Sequence, residues 1–187
     1  SGRFLSAGSE RLSSSDPQGA LLAAEAALKE DPRNAKAWGL KAAALNQMRR
    51  FGDAESAAKR AVELDRGNAE AWRNLAWAQL HNGKPEDAEA SATRMIFLEP
   101  ENAEGYLLRA FAYEMKGDRK RMLADLERAA ALDPRYANHL AHARAGNRLF
   151  DPASPDTDGL LGALAPPPPP RSNFFLWLGA ALLGLAG

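Results

Sequence analysis

Apolar and small residues recur along residues 1–136 at spacings of three and four, in paired runs separated by turns. This spacing is typical of amphipathic helices that share a core. The pattern returns every 34 residues, which divides this part of the chain into units 1–34, 35–68, 69–102 and 103–136. A fixed period of this length indicates stacked helix pairs of one design. We therefore predict four helix pairs.

Two positions in each unit explain how its helices would pack. The fourth positions are all aromatic: Phe4, Trp38, Trp72 and Tyr106. The eighth positions are all small: Gly8, Ala42, Ala76 and Ala110. A large ring fills space between two helices, whereas a small residue lets the backbones approach closely. Gly83 and Gly117 stand where a first helix ends and a left-handed residue is favoured.

With these positions, the chain resembles the tetratricopeptide repeat family over residues 1–136. The twentieth positions follow the family except at Met122, and the thirty-second positions are proline except at Arg66. The unit 69–102 is the clearest copy. The resemblance implies an all-α fold, a right-handed superhelical solenoid of antiparallel helix pairs.

Three segments follow the last unit. Residues 137–150 continue the apolar phase with a polar outer side, so we predict a capping helix. Residues 151–172 are rich in proline, including Pro166–Pro170, and are expected to form a linker that stiffens toward its end. Residues 173–187 are apolar and uncharged.

The apolar segment 173–187 is expected to be helical and to associate with a membrane. A helix over the 14 residues from Phe174 to Gly187 spans about 21 Å, less than the hydrocarbon core of about 30 Å. It would therefore be a short or a truncated transmembrane helix, with Phe174, Phe175 and Trp177 at the interface. The repeat domain would then lie on the cytoplasmic side. The alternative is a tail that packs in its own groove or in that of a neighbouring copy.

Composition excludes several functional classes. The 24 basic and 24 acidic residues balance and are interspersed, which argues against a nucleic-acid partner. The chain has no cysteine, so it has no disulfide and no thiolate metal site. We find no phosphate-binding or hydrolase motif, and we predict neither catalysis nor a cofactor. His139 and His142 are interpreted as surface histidines and not as metal ligands.

The resemblance implies that the first helices line a concave groove that holds a partner. One subclass of the family binds carboxyl-terminal chaperone peptides through a clamp of lysines, asparagines and arginine. Glu70 and Glu104 stand where that clamp requires lysine, and only Asn74 matches it. We therefore expect no chaperone carboxylate clamp.

The groove positions predict a polar N-terminal end and an apolar C-terminal half. The predicted partner-binding residues are Leu40, Arg73, Asn74, Trp77, Leu80, Leu107, Leu108, Phe111 and Met115. Trp77 and Phe111 occupy equivalent ninth positions and are expected to be exposed anchors for a partner.

These observations together predict a non-catalytic adaptor that holds an apolar segment, extended or helical, of a partner protein near a membrane. One alternative is the regulatory part of a larger membrane protein. Another is a soluble assembly factor whose apolar tail docks in a groove, which would allow oligomers.

Overall fold

The computed structural model describes residues 2–153, and the regular secondary structure of this part of the chain is entirely helical. Within these residues, eight helices form four pairs, with turns between them, and a shorter helix follows a 3₁₀ turn over Pro134–Tyr136. The helices are α1 (Gly2–Ser13), α2 (Pro17–Glu30), α3 (Ala35–Gln47), α4 (Phe51–Leu64), α5 (Ala69–His81), α6 (Pro85–Leu98), α7 (Ala103–Met115), α8 (Arg119–Leu132) and α9 (Ala137–Arg144).

Each of the helices packs against the next one along the chain. In addition, α1 packs on α3, α3 on α5, and α5 on α7. The first helices of the four units therefore line the inner side of the array. The predicted all-α stack of helix pairs is confirmed.

The small eighth positions lie where the helices come closest. Ala42, Ala76 and Ala110 are fully buried, and Gly8 is buried as well. A Cβ atom on Gly8 would clash with the side chain of Leu40. The Leu40 side chain thus occupies the space that a larger residue would need, which explains the residue type at this position.

The aromatic fourth positions tie each unit to the end of the unit before it. The Trp38 indole donates a hydrogen bond to the Pro32 carbonyl at 2.9 Å. Two equivalent bonds follow: Trp72 Nε1 to Arg66 O at 3.0 Å, and Tyr106 Oη to Pro100 O at 3.1 Å. Because the acceptor is a backbone carbonyl, which every residue has, Arg66 can accept this hydrogen bond at the position where the family has proline.

The turn inside each unit contains one left-handed residue. Gly83 and Gly117 have φ angles of 70° and 73°, which confirms the prediction for these two turns. The same position in the first two units holds Ser15 and Arg49, with φ of 60° and 58°. A side chain in this region of backbone space is strained, because its Cβ approaches the following carbonyl oxygen.

We expect Ser15→Gly to raise the free energy of unfolding by about 0.5–1 kcal/mol, because glycine relieves this strain at a small entropic cost. Thermal unfolding followed by circular dichroism would measure the gain. The neighbouring Ser14→Gly is the control, since Ser14 does not have a positive φ angle. Equal effects of the two substitutions would contradict the prediction.

The capping segment differs from the prediction. Helix α9 ends at Arg144, and Gly146 with φ of 83° reverses the chain, so the predicted helix 137–150 was too long. His139, predicted to lie on the surface, is fully buried beside Tyr136, with ring centroids 5.5 Å apart. The surface assignment was wrong because His139 lies on the inward side of α9.

The remaining predictions for the C-terminal region lie outside the described residues. They concern the linker beyond residue 153 and the apolar segment with Phe174, Phe175 and Trp177. Within residues 2–153, each helix is too short or too polar to cross a bilayer.

Candidate functional site

The N-terminal half of the groove is an open cavity of about 1080 Å³ on the inner faces of α1, α3 and α5. Four of the predicted partner-binding residues line it: Leu40, Arg73, Asn74 and Trp77. Serines of α1 form the opposite wall. The cavity is therefore mixed in character, with both apolar and polar side chains in its lining.

Two buried carboxamides lie at the base of this cavity. The Asn46 Nδ2 donates to the Asn74 carbonyl at 3.0 Å, and the Arg73 guanidinium donates to Asn74 Oδ1 at 3.2 Å. The Asn46 Oδ1 and the Asn74 Nδ2 have no hydrogen-bond partner among the described residues. The two side chains are nevertheless only 7% and 3% exposed. Buried polar atoms are nearly always paired, so one acceptor and one donor at the base of this cavity lack the partner that such atoms normally have.

The charges around the cavity balance one another. Arg73 forms an ion pair with Glu104 at 3.2 Å, while Lys36 and Glu70 lie on the rim. The two glutamates at the clamp positions thus place acidic groups on the groove, one of them already paired with Arg73. A rim of this kind favours an uncharged or mixed segment over a strongly charged one.

The C-terminal half of the groove is filled by the chain itself. After Gly146 the backbone returns to the inner face, and Phe150 is buried there with 1% of its surface exposed. Its ring stacks on Phe111 with centroids 5.3 Å apart, and it forms T-shaped contacts with Trp77 and His81, with centroids 5.9 Å and 5.1 Å apart. Aromatic contacts at these distances are favourable.

A carboxylate holds the backbone of this returning segment. Glu114 of α7 accepts hydrogen bonds from the Leu149 and Phe150 amides at 2.7 and 2.8 Å. Burial raises the pKa of Glu114, and the two N–H groups and Arg148 offset only part of that rise. The Pro152 carbonyl lies 3.4 Å from the His81 Nδ1.

The expected exposure of Trp77 and Phe111 was wrong. Trp77 is 8% exposed and Phe111 is fully buried, because the ring of Phe150 packs against both in a core that also includes Leu149. Three further predicted residues are fully buried and one is half-buried against the same core: Leu80, Leu107, Leu108 and Met115. The structure therefore divides the predicted site between an open cavity and a covered apolar half.

Sequence reasoning missed the two residues that close the apolar half. Phe150 and its neighbour Leu149 were assigned to the capping helix, although an apolar pair that follows Gly146 signals a change of direction. Glu114 occupies a groove position in the half predicted to be apolar. A single carboxylate among apolar groove positions was the sequence signal that backbone N–H groups would bind there.

Two tetratricopeptide repeat family models match the chain, one over residues 5–47 and the other over residues 46–110. Together they cover more than half of the sequence, in the region where the structure shows the helix pairs. The chain belongs to the tetratricopeptide repeat family. No curated protein sequence matches it significantly.

Solved structures of tetratricopeptide repeat proteins share the fold. MamA is 24% identical with a TM-score of 0.66, over 82% of this chain and 92% of that one. The thermophilic protein TTC0263 of Thermus thermophilus is 22% identical with a TM-score of 0.67, over 97% and 98% of the two chains. At these identities the likeness shows the fold alone.

One structural neighbour is an enzyme. The O-GlcNAc transferase of Thermobaculum terrenum is 23% identical with a TM-score of 0.65, over 69% of this chain but only 25% of the transferase chain. The likeness is thus to a repeat portion of that protein. Tetratricopeptide repeat proteins are generally non-catalytic scaffolds that bind other proteins.

Proposed function

We propose that this tetratricopeptide repeat protein is a non-catalytic adaptor that binds an extended segment of a partner protein in the open half of its groove. The observation that carries the proposal is the pair of buried carboxamide atoms without partners among the described residues, Asn46 Oδ1 and Asn74 Nδ2. One acceptor and one donor together match a peptide group, which offers one N–H and one C=O.

This chemistry favours an extended segment over a helical one. A helix uses its backbone N–H and C=O groups internally, and only its ends keep free ones. An extended segment presents a free pair at each residue. Leu40 and the cavity side of Trp77 would then contact its apolar side chains, while Arg73 and Glu70 bracket its polar ones.

Selection of 12-residue peptides from a random library on the full chain tests this proposal. For the selected peptides, Asn74→Ala should weaken the affinity by about tenfold, the usual effect of leaving a partner's buried polar group unpaired. Asn46→Ala should act similarly. Gln18→Ala, an exposed change on α2 at a residue that does not line the cavity, is the matched control. Equal affinities for all four proteins would refute the proposal.

We further propose that residues 173–187 attach the protein to a membrane. The support is the uncharged sequence with Phe174, Phe175 and Trp177 at its start. The full chain should float with anionic liposomes in a sucrose gradient, and a chain that lacks residues 172–187 should not. Equal flotation would contradict membrane attachment. A loss of oligomers alone would instead favour a tail that docks in a groove.

A further inference from the structure

We infer that the C-terminal half of the groove is a second binding site, for an extended partner segment with an aliphatic residue followed by an aromatic one. Residues 147–153, here named the strap, are its built-in occupant. A partner segment of the same chemistry must displace the strap to bind. This inference concerns the covered half of the groove and does not depend on the peptide site in the open half.

The strap is held in the way that a groove holds a peptide. The two consecutive amides of Leu149 and Phe150 donate to the Glu114 side chain and not to a helix or strand backbone. The Arg148 Nε donates to the Phe150 carbonyl at 3.0 Å, which pins the strap to itself. The strap is therefore bound by a carboxylate that accepts hydrogen bonds from two backbone N–H groups and by an aromatic pocket that contacts one side chain.

The pocket is built by the repeats, independently of the strap. Phe111 forms its base, and Trp77 forms one wall. His81 also contacts Phe150, and its ring stacks on Phe51 of α4, with centroids 4.0 Å apart and planes 5° from parallel. This stack fixes the position of the imidazole. Residues of the second, third and fourth units thus shape the pocket. We expect it to persist when Phe150 leaves.

Release of the strap requires little rearrangement. Residues 145 and 146, which connect the strap to α9, and residues 147 and 148, which begin it, are all exposed. Within the strap, only Leu149 and Phe150 are buried, while Asp151 and Pro152 are half-buried. Opening also returns the half-buried Glu114 carboxylate to water, which recovers part of the desolvation cost of closure.

Amide hydrogen exchange of the full chain tests whether the strap opens on its own. Segments that open locally exchange faster than the core, whose slowest amides require global unfolding. The Leu149 and Phe150 amides should therefore exchange at least roughly 100-fold faster than those of Leu107 and Leu108 in α7. Equal protection would make the strap part of the cooperative core and would overturn the inference.

Binding of the strap sequence in trans tests whether the pocket accepts a partner. A fluorescent peptide of residues 145–153, Ala-Gly-Asn-Arg-Leu-Phe-Asp-Pro-Ala, should bind the full-length Phe150→Ala protein about tenfold tighter than the wild type, because the pocket is vacant in the variant. A peptide with alanine in place of phenylalanine should not bind. Phe97→Ala, an exposed change, should leave peptide binding at the wild-type level.

The other outcomes of this experiment also decide the matter. If Phe150→Ala remains helical but binds the peptide no better than the wild type, the pocket is not a ligand site. If Phe150→Ala loses cooperative unfolding, the strap is core and the inference fails. Concentration-dependent dimers of the wild type that Phe150→Ala abolishes would identify the occupant as the strap of a second copy. That result would overturn the intramolecular assignment.

Discussion

Replacement of Phe111 by alanine should lower the free energy of unfolding by about 3–5 kcal/mol, the usual cost of removing a buried phenylalanine ring. Phe111 is fully buried in the core of the third and fourth units and stacks on the ring of Phe150. The change would leave a cavity between α7 and the strap, and the contact with Phe150 would be lost as well. Urea unfolding followed by circular dichroism would measure the loss.

Phe97→Ala is the matched control, since it deletes the same ring from the outer side of α6. Phe97 is 72% exposed, and its ring makes a cation–π contact with Arg94 at 4.9 Å. Such exposed contacts contribute about 0.5–1 kcal/mol. A loss for Phe111→Ala that is no larger than this control would show that Phe111 does not pack as described.

Replacement of Glu55 by glutamine should remove about 3 kcal/mol of stability that depends on pH. Glu55 is buried and accepts hydrogen bonds from Lys59 at 2.7 Å, Lys84 at 2.9 Å and Asn82 at 2.7 Å. Burial raises the pKa of this carboxyl, but the three donors outweigh that effect and lower the pKa from 4.5 to about 2.

The direction of the pH effect follows from that pKa. Because the pKa is lower in the folded state than in the unfolded chain, the stabilisation is fully present above about pH 4.5 and is lost as the pH falls toward 2. When the pH falls from 4.5 to 2, the free energy of unfolding of the wild type should decrease by about 3 kcal/mol more than that of Glu55→Gln. Glu63→Gln, with a side chain 61% exposed, is the control. Parallel pH profiles for the wild type and Glu55→Gln would exclude this role.

Much of the repeat architecture is visible in the sequence because its determinants are local and periodic. Gly83 and Gly117 mark two left-handed turns directly. Ser15 and Arg49 adopt the same conformation without any sequence signal. Their units impose it, because the packing of both flanking helices fixes the length of the turn. Periodicity thus predicted how many turns there are and where they lie. Tertiary packing determines which turns contain a strained left-handed residue.

The covered half of the groove shows why the binding site was harder to predict. The repeat pattern correctly places Trp77 and Phe111 on the groove side, yet their exposure depends on residues 149 and 150, which follow the last unit. No repeat partner fixes the path of those residues. That path depends on Gly146 and on the hydrogen bonds from backbone amides to the Glu114 carboxylate. The Leu149 amide and Glu114 are 35 positions apart in the chain. Such a pairing has no local pattern.

The hydrogen bonds from Trp38, Trp72 and Tyr106 join consecutive units and therefore constrain which insertions and deletions the chain can accept. Each of the first three units ends with a carbonyl acceptor, and each of the last three begins with a ring donor. A duplicate of residues 69–102 inserted after Asn102 would therefore meet a matching donor and acceptor at both new junctions. Gene duplication or deletion of a whole unit keeps every junction intact, whereas a change of a few residues breaks one. The array is thus free to vary in steps of one unit while its two ends keep their own roles.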